Sequence, residues 1–468
     1  MRESCGIVGL ALNDRESDNA ALPIYYALYA LQHRGQESTG ITVHDGKSAR
    51  TLKGMGLVPD VFKKYNLSDL KGFVGIGHVR YSTTGDSTIE NSQPLIVNFM
   101  DRTIAIAHNG NLVNSADLIA EFEAEGQVFL TSSDTEVIAR LLVKELLKTD
   151  VLGAVEAVMR RLIGSYSLTI LIDDTLVVVR DPLGFKPLCL GELDEGYVVT
   201  SESAAIDTIG GKLIRDVRPG EVLVFKDGSY SSHHLFREKN TAHCVFEYIY
   251  FARADSIIDR QLVYQTRICI GEILLDEHAI DADIISPVPD SGITFAIGYS
   301  KKSGIDYIEG LMKNRYIGRT FIMPNQNMRE TAVRLKLNTI RQNLEGKKVI
   351  LMDDSIVRGT TSRRIVDMVL KAGAEEVHMR IGSPPIKSPC YLGIDMATRE
   401  ELVAAHKTVA GVEALINADS LGYVSVEGLV EAVGIPEDDL CLGCLTGVYP
   451  VEIPGENCKR RQLTLNQF

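Results

Sequence analysis

The chain has 468 residues, of which 45% are hydrophobic and 24% are charged, so it can bury large cores without disulfide cross-links. Its formal net charge of −13 argues against broad binding to nucleic acids or to anionic membranes. No apolar run approaches the ~18 residues of a membrane helix, and the first residues do not form a secretory signal. We therefore expect a cytoplasmic protein of two or three domains, in which eight cysteines indicate catalysis or metal binding before disulfides.

The first half of the chain is typical of an α+β domain with antiparallel sheets. Apolar residues recur at helical spacing within 24–31 and 152–162. Strands are predicted over residues 72–81, 103–107, 167–172 and 175–179, and the last two form a predicted hairpin across Asp173-Asp174.

The second half alternates strands with helices. The predicted order is a strand at 284–288, a helix from 293, a strand at 348–352, a helix at 361–372 that ends at Gly373, and a strand at 376–381. This alternation predicts an α/β domain with a parallel sheet. The polar stretch around 237–242 divides the chain into domains at 5–236 and 243–468.

Cys5 lies at the start of an apolar stretch, where a cysteine alone is usually a small buried hydrophobic residue. Four polar clusters accompany it at strand ends or glycine turns, where side chains face a cleft. They are His33-Arg34-Gly35-Gln36, Gly77-His78-Val79-Arg80-Tyr81, Asn109-Gly110-Asn111 and Ser133-Asp134-Thr135-Glu136. Turn chemistry explains each cluster taken alone.

Together, these clusters resemble the N-terminal-nucleophile (Ntn) glutaminase domain of glutamine amidotransferases, over about residues 5–235. The resemblance implies that residues 1–4 are a propeptide and that Cys5 becomes the N-terminal nucleophile. Its freed α-amine, with an unperturbed pKa of about 7.7–8.0, can accept the thiol proton. Asn109 and the Gly110 N–H would form the oxyanion hole. Arg80 would bind the α-carboxylate of glutamine, and Asp134 its α-ammonium group.

Residues 349–361 carry the strongest motif of the second half. An apolar strand ends in Asp353-Asp354, and a loop containing Gly359, Thr360 and Thr361 leads into a helix. N–H groups of such a loop and of the helix N-terminus can hold a phosphate. An acidic turn that caps a helix would explain the aspartates but not the Gly-Thr-Thr sequence. A P-loop lysine and a dinucleotide fingerprint are both absent from the sequence.

This motif resembles the phosphoribosyl pyrophosphate (PRPP) signature of type I phosphoribosyltransferases. The resemblance implies one Mg²⁺ per subunit, bound by Ser291, Asp353 and Asp354. The implied PRPP-binding residues in the motif are Asp353, Asp354, Ser355, Val357, Arg358, Gly359, Thr360 and Thr361.

A basic stretch lies just before the motif. Residues 313–348 contain nine Lys or Arg and two Glu, a local charge of +7. A charge run is usually a solvated face, but the sequence at 313–322 resembles the mobile lid with which these enzymes cover pyrophosphate. The resemblance adds Lys313, Arg319 and Lys336 to the PRPP-binding residues.

Both halves together resemble the glutamine PRPP amidotransferase family. The resemblance implies that glutamine-derived ammonia is transferred to PRPP, giving 5-phosphoribosylamine, glutamate and pyrophosphate in the first committed step of purine biosynthesis. It also implies feedback inhibition by purine nucleotides and a homo-oligomer, either a tetramer or a dimer, with no nucleic-acid or membrane partner. Two alternatives share part of these features. One is an amidotransferase that makes an amino sugar, which the 353–361 motif disfavours, and the other is a non-enzymatic regulator, which the intact set of catalytic candidates disfavours.

Four of the eight cysteines are candidate metal ligands. Cys441 and Cys444 are separated by two residues, with Cys244 and Cys390 far upstream. A lone pair of this spacing is a weak signal, and thiolates suit zinc and iron alike. One branch of the family carries a [4Fe–4S] cluster, and the resemblance implies one per subunit on these four residues. We expect ordinary thiols at Cys189, Cys269 and Cys458.

Overall fold

A computed structural model of the protein describes residues 5–81, 86–314, 337–396 and 398–454. Residues 1–4, Arg319, Lys336 and Cys458, which carry sequence predictions, lie outside these ranges. Within the described ranges, no helix is both long and apolar enough to span a membrane.

The first half contains two antiparallel sheets. Its strands are β1 Gly6–Leu12, β2 Ser38–His44, β3 Ala49–Met55, β4 Val74–Arg80, β5 Leu95–Phe99, β6 Arg102–Leu112, β7 Gly164–Ile172, β8 Thr175–Arg180, β9 Cys189–Leu193, β10 Gly196–Thr200, β11 Lys212–Asp216, β12 Glu221–Lys226 and β13 Ser229–His234. One sheet has seven strands in the order β11-β9-β10-β1-β4-β2-β3, and the other has six in the order β13-β12-β8-β7-β6-β5.

The two sheets pack face to face, with helices on their outer sides. Their helices are α1 Ala21–Ala30, α2 Val58–Phe62, α3 Ser115–Ala124, α4 Asp134–Leu146, α5 Val151–Arg161 and α6 Ser203–Thr208. Successive side chains of a strand face opposite sides of the sheet, and so they pack into different cores. In β6, Ile104 and Ile106 join the core formed with α4 and α5, whereas Ala105 and Ala107 join the core shared with the first sheet. A Cβ at Gly9 would lie 3.2 Å from Leu176 and Thr169 of the second sheet, so glycine allows close packing between the sheets. The predicted helices, strands and hairpin are all present.

The second half is built on a parallel sheet of five strands in the order β18-β17-β21-β22-β23. Its strands are β14 His243–Cys244, β15 Ile257–Ile258, β16 Gln261–Leu262, β17 Ile284–Pro287, β18 Asp306–Tyr307, β19 Leu311–Lys313, β20 Leu337–Thr339, β21 Lys348–Asp353, β22 Glu376–Ile381, β23 Ser420–Tyr423 and β24 Leu440–Cys441. Its helices are α7 Val263–His278, α8 Ile293–Ser303, α9 Arg341–Leu344, α10 Thr360–Lys371, α11 Val403–His406, α12 Val409–Ile416, α13 Val426–Val433 and α14 Gly443–Thr446.

Helices cover both faces of this sheet. Ile350 and Met352 of β21 pack with α7 and α8, whereas Val349 and Leu351 pack with α10 and α12. Because both faces are covered, β21 is a continuous apolar run. Gly373 follows α10 with a φ of +102°, as expected for a glycine that ends a helix. The strand order reverses direction between β17 and β21, which is the point where open α/β sheets bind ligands.

Candidate active sites

The Cys5 thiol is buried at the start of β1. Its Sγ donates a hydrogen bond to the carbonyl oxygen of Tyr81, at 3.3 Å, just beyond the end of β4. Burial raises the pKa of the thiol, although the nearby charges of Arg80 and Lys186 act to lower it. The thiol is therefore protonated at neutral pH and needs a base to become a nucleophile.

Asn109 and Gly110 lie next to each other on β6. Asn109 is completely buried, and neither its Nδ2 nor its Oδ1 has a hydrogen-bond partner among the described residues. Buried amides normally have partners, so this side chain is suited to a ligand. A Cβ at Gly110 would lie 2.0 Å from the carbonyl oxygen of Ser165, so only glycine fits there.

Arg80 and Asp134 bring opposite charges to the same region from β4 and from the first turn of α4. Both are buried, and Arg80 Nη1 donates to the carbonyl oxygen of Asp86 at 3.0 Å. Asp134 Oδ2 accepts the backbone N–H of Leu112 at 3.0 Å, and its Oδ1 lies 3.4 Å from His108 Nδ1. Burial acts to raise the pKa of Asp134, but His108 and the backbone N–H groups outweigh it and hold this pKa below its usual value. The carboxylate is therefore an anion that can bind an ammonium group.

The second site is a cavity of about 600 Å³ at the carboxyl ends of β17 and β21. The structure brings together here Ser291 and all eight of the PRPP-binding residues predicted between 353 and 361. Gly359 has a φ of +75° just before α10, a conformation that favours glycine, and it directs the loop into the helix N-terminus. Lys313 lies outside the cavity lining, with its Nζ 2.6 Å from Asp290 Oδ2.

Asp353 and Asp354 are both buried at the end of β21. Burial and the adjacent Asp354 carboxylate raise the pKa of Asp353, and burial also raises the pKa of Asp354. Hydrogen bonding to Ser291 opposes both shifts, and the Ser355 hydroxyl donates to Asp354. A bound cation stabilises two adjacent buried carboxyl groups in their ionised form. Mg²⁺ prefers oxygen ligands such as these carboxylates.

Comparisons with known proteins find similar proteins over nearly the whole chain. A family model described as a glutamine amidotransferase domain matches residues 78–208. The amidophosphoribosyltransferases of Methanocaldococcus jannaschii and Archaeoglobus fulgidus are 54% and 55% identical to this chain, over 98% and 97% of it and the full length of each relative. A solved structure of the Bacillus subtilis glutamine PRPP amidotransferase, complexed with ADP and GMP, superposes with a TM-score of 0.91 at 44% identity, covering 97% of this chain and 99% of that one.

The chain belongs to the amidophosphoribosyltransferase family. The predicted fold, an Ntn glutaminase domain followed by a type I phosphoribosyltransferase domain, is confirmed. The predicted enzyme activity, ammonia transfer from glutamine to PRPP at the first committed step of purine biosynthesis, is confirmed as well. The amino-sugar and non-enzymatic alternatives are thereby set aside.

The four cysteines predicted as metal ligands line one small cavity, together with Phe185, Leu392, Ile394 and Tyr449. Cys244 and Cys441 are paired residues of the parallel strands β14 and β24. Burial raises the pKa of Cys244 to about 12 and also raises those of Cys441 and Cys444. Over the described residues, no three His, Cys, Asp or Glu side chains converge on a single ion position.

Sequence analysis missed several residues of the two sites. Tyr250, Val288, Asp395, Met396, Thr398 and Glu401 line the phosphoribosyl cavity, and the buried Lys186 and His108 lie near the glutaminase residues. His108 directly precedes the Asn109-Gly110-Asn111 motif and Val288 ends the predicted strand at 284–288, so position in the sequence could have indicated these two. The others belong to none of the motifs in the sequence, and their spacing would not have identified them.

Proposed function

We propose that Cys5, freed by removal of residues 1–4, is the nucleophile that releases ammonia from glutamine. Its new α-amine takes the thiol proton, and the thiolate attacks the amide carbon. The observation that carries this proposal is the buried Asn109 amide, whose Nδ2 has no partner and can donate to the oxyanion. With the Gly110 N–H it stabilises charge that develops only in the transition state. Ammonia leaves, and water then releases glutamate from the thioester.

Arg80 and Asp134 orient the substrate for this attack. The Arg80 guanidinium binds the α-carboxylate, and the anionic Asp134 binds the α-ammonium group. Both side chains are buried and held by hydrogen bonds, so glutamine binds to groups that are already in place. A substrate without either charged group would leave one of them buried and unpaired.

In the phosphoribosyl cavity, Asp353 and Asp354 accept hydrogen bonds from the two ribose hydroxyls, and the loop from Ser355 to Thr361 holds the 5-phosphate. Ser291 and the two carboxylates fit Mg²⁺, which would neutralise charge on the departing pyrophosphate. Ammonia attacks ribose C1 on the face opposite pyrophosphate, which inverts this carbon. This proposal also includes a lid that binds pyrophosphate through Lys313, Arg319 and Lys336.

The four cysteines hold one [4Fe–4S] cluster in this proposal. The supporting observation is that all four thiols line one small cavity. Four cysteine thiolates are the usual ligand set of a [4Fe–4S] cluster, and the same set could also hold a single zinc ion. The group would join β14, β24, α14 and the loop at Cys390, and so contribute to folding. Protein purified without oxygen should contain four iron and four sulfide per chain, and stoichiometric zinc without iron would contradict the assignment.

Purine nucleotides are proposed as feedback inhibitors, since a relative of known structure is complexed with ADP and GMP. A homo-oligomer, either dimer or tetramer, and a cytoplasmic location are proposed with it. Rate measurements with adenine and guanine nucleotides test the first point, and light scattering of the purified protein tests the second.

One experiment tests the central proposal. Intact-mass analysis of the active protein should show Cys5 as its first residue. The same preparation should form glutamate and 5-phosphoribosylamine from glutamine and PRPP. An active enzyme that retains residues 1–4 would rule out the α-amine as the base.

A further inference from the structure

A cavity of about 490 Å³ lies at the edge of the six-stranded sheet. Its walls are β5, the loop at 127–131 and α4, and it shares no lining residue with the phosphoribosyl cavity. Four consecutive residues of β5, 95–98, line it. Because successive side chains of a strand face opposite sides of the sheet, a lining of consecutive residues places this cavity along the edge of the strand. We call it the β5 groove.

β5 is an edge strand, as are β3, β11 and β13 of the two sheets in this domain. The outer N–H and C=O groups of an edge strand have no neighbouring strand to bind, and proteins usually protect such edges with charged residues, proline or bulges. β3 and β11 carry lysine and arginine, β11 also has a bulge between Leu213 and Arg215, and β13 has the polar sequence Ser-Tyr-Ser-Ser-His-His. β5 has the sequence Leu-Ile-Val-Asn-Phe and none of these protections within it, and no described strand pairs with its outer edge.

The most exposed large hydrophobic side chains of the described residues lie around the β5 groove. They are Leu130, Met100, Val128 and Leu147, which are 83%, 82%, 72% and 60% exposed, whereas the next is Tyr29 at 52%. Leu130 and Leu147 line the groove. Met100 directly follows β5, and Val128 belongs to the loop at 127–131. Apolar side chains that cluster at this exposure indicate a surface that a partner covers.

The charged side chains that line the groove are paired within the chain. Arg140 Nη2 lies 2.5 Å from Glu136 Oε1, and Lys144 Nζ lies 2.5 Å from Glu125 Oε1. The formal net charge of −13 opposes contact between two copies of the chain over most of the surface. A groove whose charges are already balanced does not add to this repulsion, and so it favours a second copy of the chain over a strongly charged partner.

We propose that the outer edge of β5 pairs antiparallel with the outer edge of β5 in a second copy of the chain. A two-fold axis perpendicular to the sheet brings two identical edges together and reverses the direction of one strand, so symmetry requires the antiparallel arrangement. The outward N–H and C=O groups of each strand bind those of the other, and apolar side chains of each copy cover the groove of the other. The two six-stranded sheets become one continuous sheet. The inference rests on the proposed homo-oligomer and assigns a surface that forms it.

The first test changes two exposed side chains that line the groove, as Leu130→Lys and Leu147→Lys. A lysine in an apolar contact loses water when the contact forms, so each variant should associate at least about tenfold more weakly than the wild type. Analytical ultracentrifugation over a range of concentrations measures the dissociation constant. A dimer should separate into monomers, and a tetramer into dimers.

The matched control is Ile214→Lys, at an exposed position of the protected edge strand β11. It should associate as the wild type does. All three changed side chains already face solvent, so circular dichroism should show that the variants fold normally.

Hydrogen exchange tests the strand pairing itself. In the associated wild type, the backbone N–H groups of residues 95–99 that point away from β6 should exchange at least about tenfold more slowly than in Leu130→Lys at the same concentration. The N–H groups of β11, Lys212–Asp216, should exchange equally in both proteins.

The possible failures are distinguishable. A wild type that stays monomeric at every concentration would overturn the proposed homo-oligomer together with this inference. An oligomer with the same dissociation constant in the wild type and in both groove variants would overturn the β5 interface alone. Equal exchange of residues 95–99 in the associated and dissociated proteins would do the same, because the two strands would then not pair.

Discussion

The two active sites are built in opposite ways. The candidate glutaminase site is buried and its side chains are held in place: Asn109 is fully buried, Arg80 and Asp134 are each held by hydrogen bonds, and these residues come from three separate elements. The phosphoribosyl site is an open cavity of about 600 Å³, and eight of its lining residues come from one stretch of nine. Chemistry on a neutral amide needs preorganised dipoles, whereas a large polyanion is bound by a loop of N–H groups and a cation.

Each site contains a feature that is unfavourable for the stability of the folded protein. In the candidate glutaminase site it is a buried amide without partners among the described residues, and in the phosphoribosyl site it is two adjacent buried carboxyl groups whose pKa values are raised. In the proposed function, the bound substrate, or the ion bound with it, would supply the missing partner in each case. Variants that remove one feature at a time should therefore affect one site and spare the other.

The largest effect is expected from Cys5→Ala. Without a nucleophile, glutamine-dependent synthesis should fall by at least about 10⁴-fold. Synthesis from free ammonia should persist, because the substitution changes none of the residues that line the phosphoribosyl cavity. The two nitrogen sources are compared in parallel assays, and intact mass should show that the upstream residues are retained. Cys269→Ala, at a partly buried thiol of α7, is the control and should behave as the wild type.

Changing Asp353 and Asp354 to asparagine together should reverse that pattern. The variant loses the charges that bind Mg²⁺ and PRPP, so synthesis should fall about 10³-fold with either nitrogen source. Glutamine hydrolysis measured without PRPP should be unchanged, and its stimulation by PRPP should disappear. Asp367→Asn, on α10 but outside the cavity, is the matched control. Retained stimulation in the double variant would show that PRPP binds elsewhere.

Asn109→Leu should lower kcat for glutamine hydrolysis about 10²-fold with little change in KM, since the amide acts on the transition state. The same change should leave thermal stability equal or higher. An unpartnered buried amide costs about 1–3 kcal/mol, and leucine has a similar volume without polar atoms. A clear loss of stability would mean that the amide already has a structural partner.

A smaller effect concerns two buried ion pairs of Arg34, one within the first domain and one with the second domain. Arg34 Nη1 lies 2.6 Å from Glu202 Oε1, and its Nη2 lies 2.7 Å from Glu247 Oε1 of the second domain. Burial acts to raise the pKa of Glu202, but His33 and Arg34 outweigh it and hold this pKa far below its usual value. Ionised Glu202 therefore stabilises the fold above its unfolded-state pKa of about 4.3, and this contribution is lost as the pH falls toward the folded-state pKa.

Glu202→Gln should accordingly lower the free energy of unfolding by about 3 kcal/mol at pH 7, and the difference from the wild type should shrink below about pH 4. Glu156→Gln, which removes an exposed pair with Arg160, should change stability by less than about 1 kcal/mol at any pH. Denaturant unfolding at several pH values measures both. A difference that grows on acidification would contradict the assigned charge state.

Much of the fold followed from local patterns. Helical periodicity located α1 and α5, and the predicted strand at 376–381 has the bounds of β22, Glu376–Ile381. The phosphoribosyl motif could be recognised in the sequence because its residues are consecutive. They lie on one strand end, the loop that follows it and the N-terminus of the next helix, so they are also close together in the fold. The glutaminase residues were recognised through resemblance, since separate turn motifs do not reveal that they meet.

The sequence by itself therefore determined the two fold classes, the nucleophile candidate and the loop that lines the phosphoribosyl cavity. Only the tertiary structure placed Lys186 against Gly393, 207 residues away, and Asn111 against Tyr391, 280 residues away. It also left Asn109 without a partner and brought Tyr250 and Asp395 to the cavity. Periodicity and turn chemistry report interactions within a few residues, whereas these features depend on how distant parts of the chain pack together, within each domain and between the two.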